Sequence, residues 1–247
     1  MTKILDVKNI SKSYQTVLGE VLAIKDVSFS VSKGEIVGIV GSSGCGKSTL
    51  LNIIAGLDNA TDGEVVKDAS FAYMLQTDAL LPYLSVLDNA LLGLKIKKML
   101  TAENILYTKK LLESFGLGEF LDKYPANLSG GMRQRVALVR TLALKPDLIL
   151  LDEPLSALDY VTRLTITDQI WKILKELNVT TILISHDIAE CVSFCDKIIV
   201  LSKRPAVIKR EIEIPFANET IPSNKRKRNE FNKYHDMIWG DLDKNIT

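Results

Sequence analysis

Several things are scarce in this chain, and each scarcity narrows the field. No uninterrupted apolar run approaches the ~20 residues of a membrane-spanning helix, and no charged-then-apolar leader follows Met1. A chain of this kind that works at a membrane is expected to rely on another chain to span it. Cysteines number three, at Cys45, Cys191 and Cys195. That odd count at these spacings matches neither a disulfide framework nor a zinc site, and a reducing compartment is the simpler setting. Charge of one sign is also lacking. Lys and Arg total 31 against 30 Asp and Glu, a net charge of +1, so the overall balance gives no sign of nucleic-acid or anionic-membrane binding. No internal repeat is visible.

What is present is ordinary globular material. At 247 residues, 25% charged and 47% hydrophobic, the chain suffices for one large α/β domain or one domain with a sizeable insertion. Its most informative stretch is GSSGCGKST, Gly41 to Thr49, two glycines four residues apart followed by lysine and a hydroxyl. That is the pattern of a phosphate loop. The short β-branched run EIVGIV (Glu35 to Val40) precedes it, and STLLNIIAGL (Ser48 to Leu57) follows with helical spacing and a terminal glycine. Strand, glycine loop and helix stand in the required order.

A triphosphate is densely negative, and backbone N–H groups meet it only where side chains stay out of the way. Gly41, Gly44 and Gly46 supply that freedom. The unpaired N–H groups and dipole of the following helix add a positive end. Lys47 is a point charge within reach of β and γ phosphates, and Ser48 offers a hydroxyl to Mg²⁺.

Leu5 to Tyr14 and Val21 to Val31 read as strands, the second alternating Val27, Phe29 and Val31 with Ser28, Ser30 and Ser32. One dry face and one wet face imply an antiparallel sheet edge ahead of the loop. Short strands follow at 63–66 and 70–75. Ser85 with Asp88 three residues on caps a helix carrying Val86, Leu87, Ala90, Leu91 and Leu94. With Leu80, Leu81, Tyr83 and Leu84 before it, this is much apolar area for a connection, suited to a helical subdomain or a partner surface. Thr101 to Phe115 is a further helix stopped by Gly116, and Ser129 caps another that Pro146 ends. DLILLD (Asp147 to Asp152) and TTILIS (Thr180 to Ser185) are continuous apolar runs, as in strands buried on both faces of a parallel sheet. Between them a helix repeats Ile166, Ile170, Ile173 and Leu177. Cys191 and Cys195 lie four apart on a predicted helix and share a face as buried thiols. Strands at 198–202 and 207–214 complete the sheet. From Asn218 the chain turns polar, carries the basic run KRKR (Lys225 to Arg228), which is ordinarily solvated, and ends in an amphipathic set, Phe231, Tyr234, Ile238 and Leu242.

Asp152 closes a buried strand at its carboxyl end, where parallel sheets bind ligands, and a carboxylate there can hold Mg²⁺ and its waters. Glu153, its neighbour, points differently and cannot duplicate that role. Buried carboxylates without a cation are costly, which disfavours a purely structural pair. The SGG of Ser129 to Gly131 opens a helix, and so makes a second anion site of the same physical kind as the first.

LSGGMRQR (Leu128 to Arg135), LILLDEP (Leu148 to Pro154), SALD (Ser156 to Asp159) and His186 come after the phosphate loop in an order and approximate spacing that resemble the ATP-binding subunit of an ABC transporter. The resemblance runs from Leu5 to about Phe216. It implies an α/β phosphate-loop NTPase core with a mixed sheet, an antiparallel β edge and a helical subdomain. The ATPase domain is expected over 1–217, with 77–145 as the inserted helical subdomain and 218–247 as a polar, basic tail with a short amphipathic helix.

The same resemblance implies roles. Tyr14 stacks on adenine; Gly41, Ser42, Ser43, Gly44, Cys45, Gly46, Lys47, Ser48, Thr49 and Gln76 complete the ATP site; Ser48, Gln76 and Asp152 serve Mg²⁺. Glu153 orients and deprotonates the attacking water, with Lys47 and His186 on the γ-phosphate. In the family, the Ser129, Gly130 and Gly131 end of one copy closes over the phosphate held by the other, giving an ATP-bound homodimer in which Asp159 communicates across the interface.

A narrower resemblance rests on LLPYLSVLDNALLGL after Gln76, on Met132 where many relatives have glutamine, and on LSKRP followed by IKREIEIPF. It is to the importer branch serving nitrate, aliphatic sulfonates, taurine and similar small solutes, although Tyr83 stands where relatives often carry tryptophan. The implied partners are a separate membrane permease and, indirectly, a solute-binding protein, with the subunit peripheral on the cytoplasmic face of the cell membrane and no nucleic acid involved. An exporter ATPase subunit and a soluble non-transport ABC ATPase are the alternatives.

Overall fold

The computed structural model describes residues 2–17, 19–216 and 221–243. In chain order the elements are β1 (Lys3–Thr16), β2 (Gly19–Ser32), β3 (Ile36–Val40), α1 (Lys47–Ala55), β4 (Asp62–Lys67), β5 (Phe71–Met74), α2 (Val86–Ile96), α3 (Ala102–Ser114), α4 (Gly130–Leu142), β6 (Leu148–Asp152), α5 (Tyr160–Glu176), β7 (Thr180–Ile184), α6 (Ile188–Phe194), β8 (Lys197–Leu201), β9 (Ile208–Glu213), α7 (Pro222–Lys225) and α8 (Asn229–Asp243). Six strands form one sheet in the order β5-β6-β7-β3-β8-β9, parallel except for β9 at the edge, and β2-β1-β4 form a separate antiparallel sheet.

The continuous apolar runs are explained by what covers them. Strands β3, β6, β7 and β8 are buried at every position, and alternate residues point to opposite faces. Ile36 and Val40 of β3 join one core with Ile149 and Leu151 of β6, beneath helices α2 to α6. Val37 and Ile39 join the other with Leu148 and Leu150, beneath α1 and the antiparallel sheet. A side chain such as Leu150, fully buried, contributes about 1.5–3 kcal/mol by leaving water. No alternating strand could fill both cores.

The antiparallel strands thus build their own layer rather than an edge of the main sheet, whose antiparallel edge is the late strand β9. Strand β2 keeps the expected alternation, with Val27, Phe29 and Val31 buried. Helix boundaries match their caps. Ser85 accepts from the Asp88 N–H and Ser129 from the Met132 N–H, and Gly56 ends α1 in the left-handed region at φ +76°. Helix α4 stops at Leu142, short of Pro146. In α5 the expected apolar stripe fades at its end, where Leu177 is exposed. Cys191 and Cys195 are free thiols with no exposure, packed where a side chain on Gly38 of β3 would meet the Cys195 Sγ at 2.8 Å.

Helices α2, α3 and α4, all within 77–145, pack on one another. This packing absorbs most of the apolar excess around residues 80–94: Val86, Ala90, Leu91 and Leu94 are buried, and Leu80 and Leu87 lie against the core. Tyr83 alone of that set is largely exposed, at 71%.

The tail departs from its sequence profile. The boundary expected at 217/218 lies outside the described residues, but the segment from Ile221 onward does not stand apart from the ATPase core. Phe231 and Ile238 of α8 are buried in the same core as α6 and β8. The KRKR run, expected to be solvated, has Lys225 only 4% exposed, its ammonium 5.0 Å from the Trp171 ring and 5.6 Å from that of Phe216. Apolar stems and aromatic faces accommodate such cations. Ile238→Ala is expected to lower the unfolding free energy by about 2–5 kcal/mol in urea titrations. A loss below ~0.5 kcal/mol, the scale of a surface substitution, would mean that α8 is not part of the core.

Candidate functional site

The carboxyl ends of β3, β6 and β7 are adjacent in register, with Ile39 opposite Ile184 and Asp152 opposite Ile184. The next residues of all three strands, from Gly41, Glu153 and Ser185, therefore open on one edge. There the phosphate loop bends through Gly44 at φ +71° and Gly46 at φ +124° into the N-terminus of α1. A side chain at Gly41 would approach the Cys45 Sγ to 2.7 Å, so the first glycine is required by packing from beneath. Lys47 is 8% exposed, and its ammonium donates to the carbonyls of Gly41 at 2.8 Å and Ser42 at 3.1 Å, closing the loop on itself.

The loop floors a cleft of about 540 Å³. Ser43, Gly44, Gly46, Lys47, Ser48 and Thr49 line its base, Tyr14, Thr16, Val21 and Ala23 one wall, and Gln76 and Glu153 the other. Of the residues expected at the ATP site, Gly41, Ser42 and Cys45 do not line it. Cys45 is 1% exposed and its N–H donates to the Ser42 carbonyl, so its side chain is buried and its amide is engaged within the loop. Tyr14 reaches the mouth with its hydroxyl donating to Asp58 Oδ2 at 2.9 Å.

The two carboxylates differ sharply. Asp152 is 4% exposed, and its Oδ1 has no hydrogen-bond partner. Burial raises its pKa, Glu153 adds to the rise, and the Ser48 hydroxyl, Lys47 and Tyr73 oppose it. Burial, then the Asp152 charge, also pushes the Tyr73 hydroxyl up. An orphaned carboxylate oxygen beside a serine hydroxyl and the phosphate loop suits a divalent cation that also takes phosphate oxygens and water. Glu153 stands at φ +48°, a strained backbone for this residue. Its Oε2 accepts from Gln76 Nε2 at 3.3 Å and lies 3.2 Å from His186 Nδ1. Gln76, Glu153 and His186, from three different loops, thus meet at one oxygen.

The expected second anion site lies elsewhere. Neither Ser129, Gly130, Gly131 nor Asp159 lines the cleft. Ser129 and Asp159 are exposed N-caps of α4 and α5. Hydrogen bonding from the Thr162 hydroxyl, then from its N–H, holds the Asp159 carboxyl below its ordinary pKa. The two caps are built against each other, because a side chain at Gly131 would meet Leu158 Cδ2 at 2.6 Å.

Several residues at the site were not distinguished by their sequence pattern. The buried Gln134 donates to the Glu153 carbonyl at 3.1 Å and accepts from the Ala157 N–H at 3.0 Å, latching α4 to the loop after β6. Its signal was available: it falls in phase with Ala137, Leu138 and Thr141 on the buried face of α4. Arg133 Nε pairs with Asp78 Oδ2 at 2.9 Å, tying the same helix to the loop after Gln76. Arg204 donates to the Gly44 carbonyl at 2.9 Å from the cleft rim. No local pattern marks that contact, made across 160 positions of sequence.

Comparison with known proteins agrees with this geometry. Residues 24–156 match the family model described as ABC transporter. The Bacillus subtilis (strain 168) "Uncharacterized ABC transporter ATP-binding protein YtlC" is 40% identical, over 96% of this chain and 95% of its own. The "Nitrate transport protein NasD" of Klebsiella oxytoca is 36% identical over 96% and 94%, and the "Taurine import ATP-binding protein TauB" of Jannaschia sp. (strain CCS1) is 37% identical over 98% and 96%. Among solved structures, the dimeric post-hydrolysis state of the ATP-binding cassette MJ0796 bound to ADP and Pi matches with a TM-score of 0.77 and 33% identity, covering 86% of this chain and 100% of that one. A phosphate loop, an acid pair at a strand end and a capped glycine helix on one scaffold, with relatives similar along nearly their whole length, lead to one conclusion: the chain is an ATP-binding, ATP-hydrolysing member of the ABC transporter family.

Proposed function

We propose that the chain powers uptake of a small solute such as nitrate, a sulfonate or taurine, through a separate permease, with ATP held between two copies. The observation that carries the mechanism is the separation of the two anion sites. The phosphate loop lines the cleft and the Ser129 helix start does not, so a second copy is needed to surround the terminal phosphate. The dimeric MJ0796 cassette supports that arrangement, and the nitrate and taurine relatives support the solute class.

In this reading ATP replaces the Gly41 and Ser42 carbonyls as acceptor for Lys47. Tyr14 receives the base. Ser48, Gln76 and Asp152 would hold Mg²⁺, which when bound neutralises charge on the β and γ oxygens. Glu153 takes a proton from the water that attacks the γ-phosphorus in line; the bond to the bridging oxygen breaks, and ADP and phosphate leave. His186 and the partner copy's helix start stabilise charge on the transferring group. Asp159, capping the helix beside the Ser129 loop, carries the state of one site to the other. The solute-binding protein acts on the permease and touches this chain only through it. No helix among the described residues is long and apolar enough to cross a membrane, which fits a peripheral subunit held on the cytoplasmic face by the permease. The permease contact falls on the exposed apolar residues of the helical layer, Tyr83 and Ile96, at 71% and 73% exposure.

Glu153→Gln is expected to retain ATP affinity while turnover falls by about 10²–10⁴-fold, with the ATP-loaded variant dimeric by light scattering. Turnover at the wild-type rate would remove Glu153 as the base. The double variant Tyr83→Asp, Ile96→Asp is expected to keep the ATPase activity of the isolated subunit and to lose co-purification with the permease. Retained co-purification would place the contact on another surface.

A further inference from the structure

His186 is exposed at the site, but the residues on either side of it are anchored by a buried acid that the proposed reaction does not use. Glu190 of α6 is 4% exposed, and its carboxylate accepts from the Ser185 hydroxyl. The Ser185 oxygen in turn accepts from the Asp187 N–H at 3.1 Å, and Asp187 Oδ1 accepts from the Glu190 N–H at 3.1 Å. Ser185 and Asp187, the immediate neighbours of His186, are thus both fixed through Glu190. A carboxylate so placed is costly unless cations face it.

Two guanidinium groups do. Arg163 of α5 acts on Glu190 and lies 3.5 Å from Asp187 Oδ2, while its NH2 donates to the Leu158 carbonyl at 3.0 Å, next to Asp159. Arg226, from the KRKR run, reaches helix α6 from the C-terminal segment. Its Nε donates at 3.2 Å to Ser193 Oγ, which lies 3.0 Å from the Glu190 carbonyl. The segment carrying Arg226 is itself pinned, since the Ser223 N–H donates to Asp168 Oδ1 of α5 at 2.9 Å. Burial raises the Glu190 pKa, and the Ser185 hydrogen bond and the two guanidinium groups oppose that rise, Asp187 adding to it.

We infer that Glu190 and Arg226 are positioning residues for His186, so that docking of the C-terminal basic segment sets the rate of ATP turnover. This rests on the proposed contact of His186 with the terminal phosphate. The KRKR run is then neither a nucleic-acid contact nor a solvated tail. One of its members, Arg226, hydrogen-bonds Ser193 on the helix that carries Glu190, and Arg163 pairs with Asp187 beside His186 while bonding the Leu158 carbonyl next to Asp159.

The test is steady-state ATPase kinetics of the full-length chain, with thermal unfolding as the control for folding. Glu190→Gln and Arg226→Ala are each expected to lower kcat about tenfold with KM for ATP unchanged, and Arg226→Lys to recover most of the loss. In a His186→Ala background the same substitutions are expected to cause no further loss, because they act through that side chain. Losses that multiply with that of His186→Ala, or folded single variants with unchanged kcat, would overturn the inference while leaving the reading of His186 intact. If His186→Ala itself turns over ATP at the wild-type rate, the phosphate contact assigned to His186 is wrong and the positioning role falls with it.

Discussion

Burial of the central strands on both faces is the constraint on which the rest of this structure depends. Because β3, β6 and β7 have no wet side, polar chemistry can appear only where they end. Their register brings those ends together. A glycine loop, an acid pair and a serine-histidine step consequently share one edge although together they span more than a hundred residues of sequence. The helical layer and the antiparallel layer are each a cover for one core. Tyr14 of the antiparallel layer lines the cleft together with Gln76 and Glu153, from the loops after β5 and β6 of the main sheet.

The site residues are held by different physical means. The phosphate loop is shaped by missing side chains and by one buried lysine. Glu153, on a strained backbone, is held by hydrogen bonds from Gln76 in the loop after β5 and from Gln134 in helix α4. Asp152 keeps an unsatisfied oxygen in the protein interior, a local conflict of the kind that collects where ligands bind. Ser129 and Asp159 do not line this cleft, and their loops pack together through Gly131 and Leu158.

Much of this was legible in the sequence, and the reasons are local. The order of strand, glycine loop and helix at residues 35–57, the caps at Ser85 and Ser129, and the two-sided runs at 147–152 and 180–185 all reflect backbone requirements that nearby residues reveal. What the sequence concealed depends on distant partners. Gln134 looked like one polar residue in a polar motif until its amide was found between Glu153 and Ala157. Lys225 and Arg226 read as solvated charge because nothing near them announces Trp171 or Ser193. The apolar excess at 80–94 was ambiguous for the same reason: packing and recognition use the same side chains, and only the fold separates Leu91, buried, from Tyr83, exposed.

The bonds from Lys47 to Gly41 and Ser42 have a consequence for the working cycle. In the proposed function these two carbonyls stand in for phosphate oxygens, and loading ATP is a swap of acceptors for the Lys47 ammonium. Giving up two bonds to gain others tempers affinity, which suits a motor that has to let go as readily as it grips.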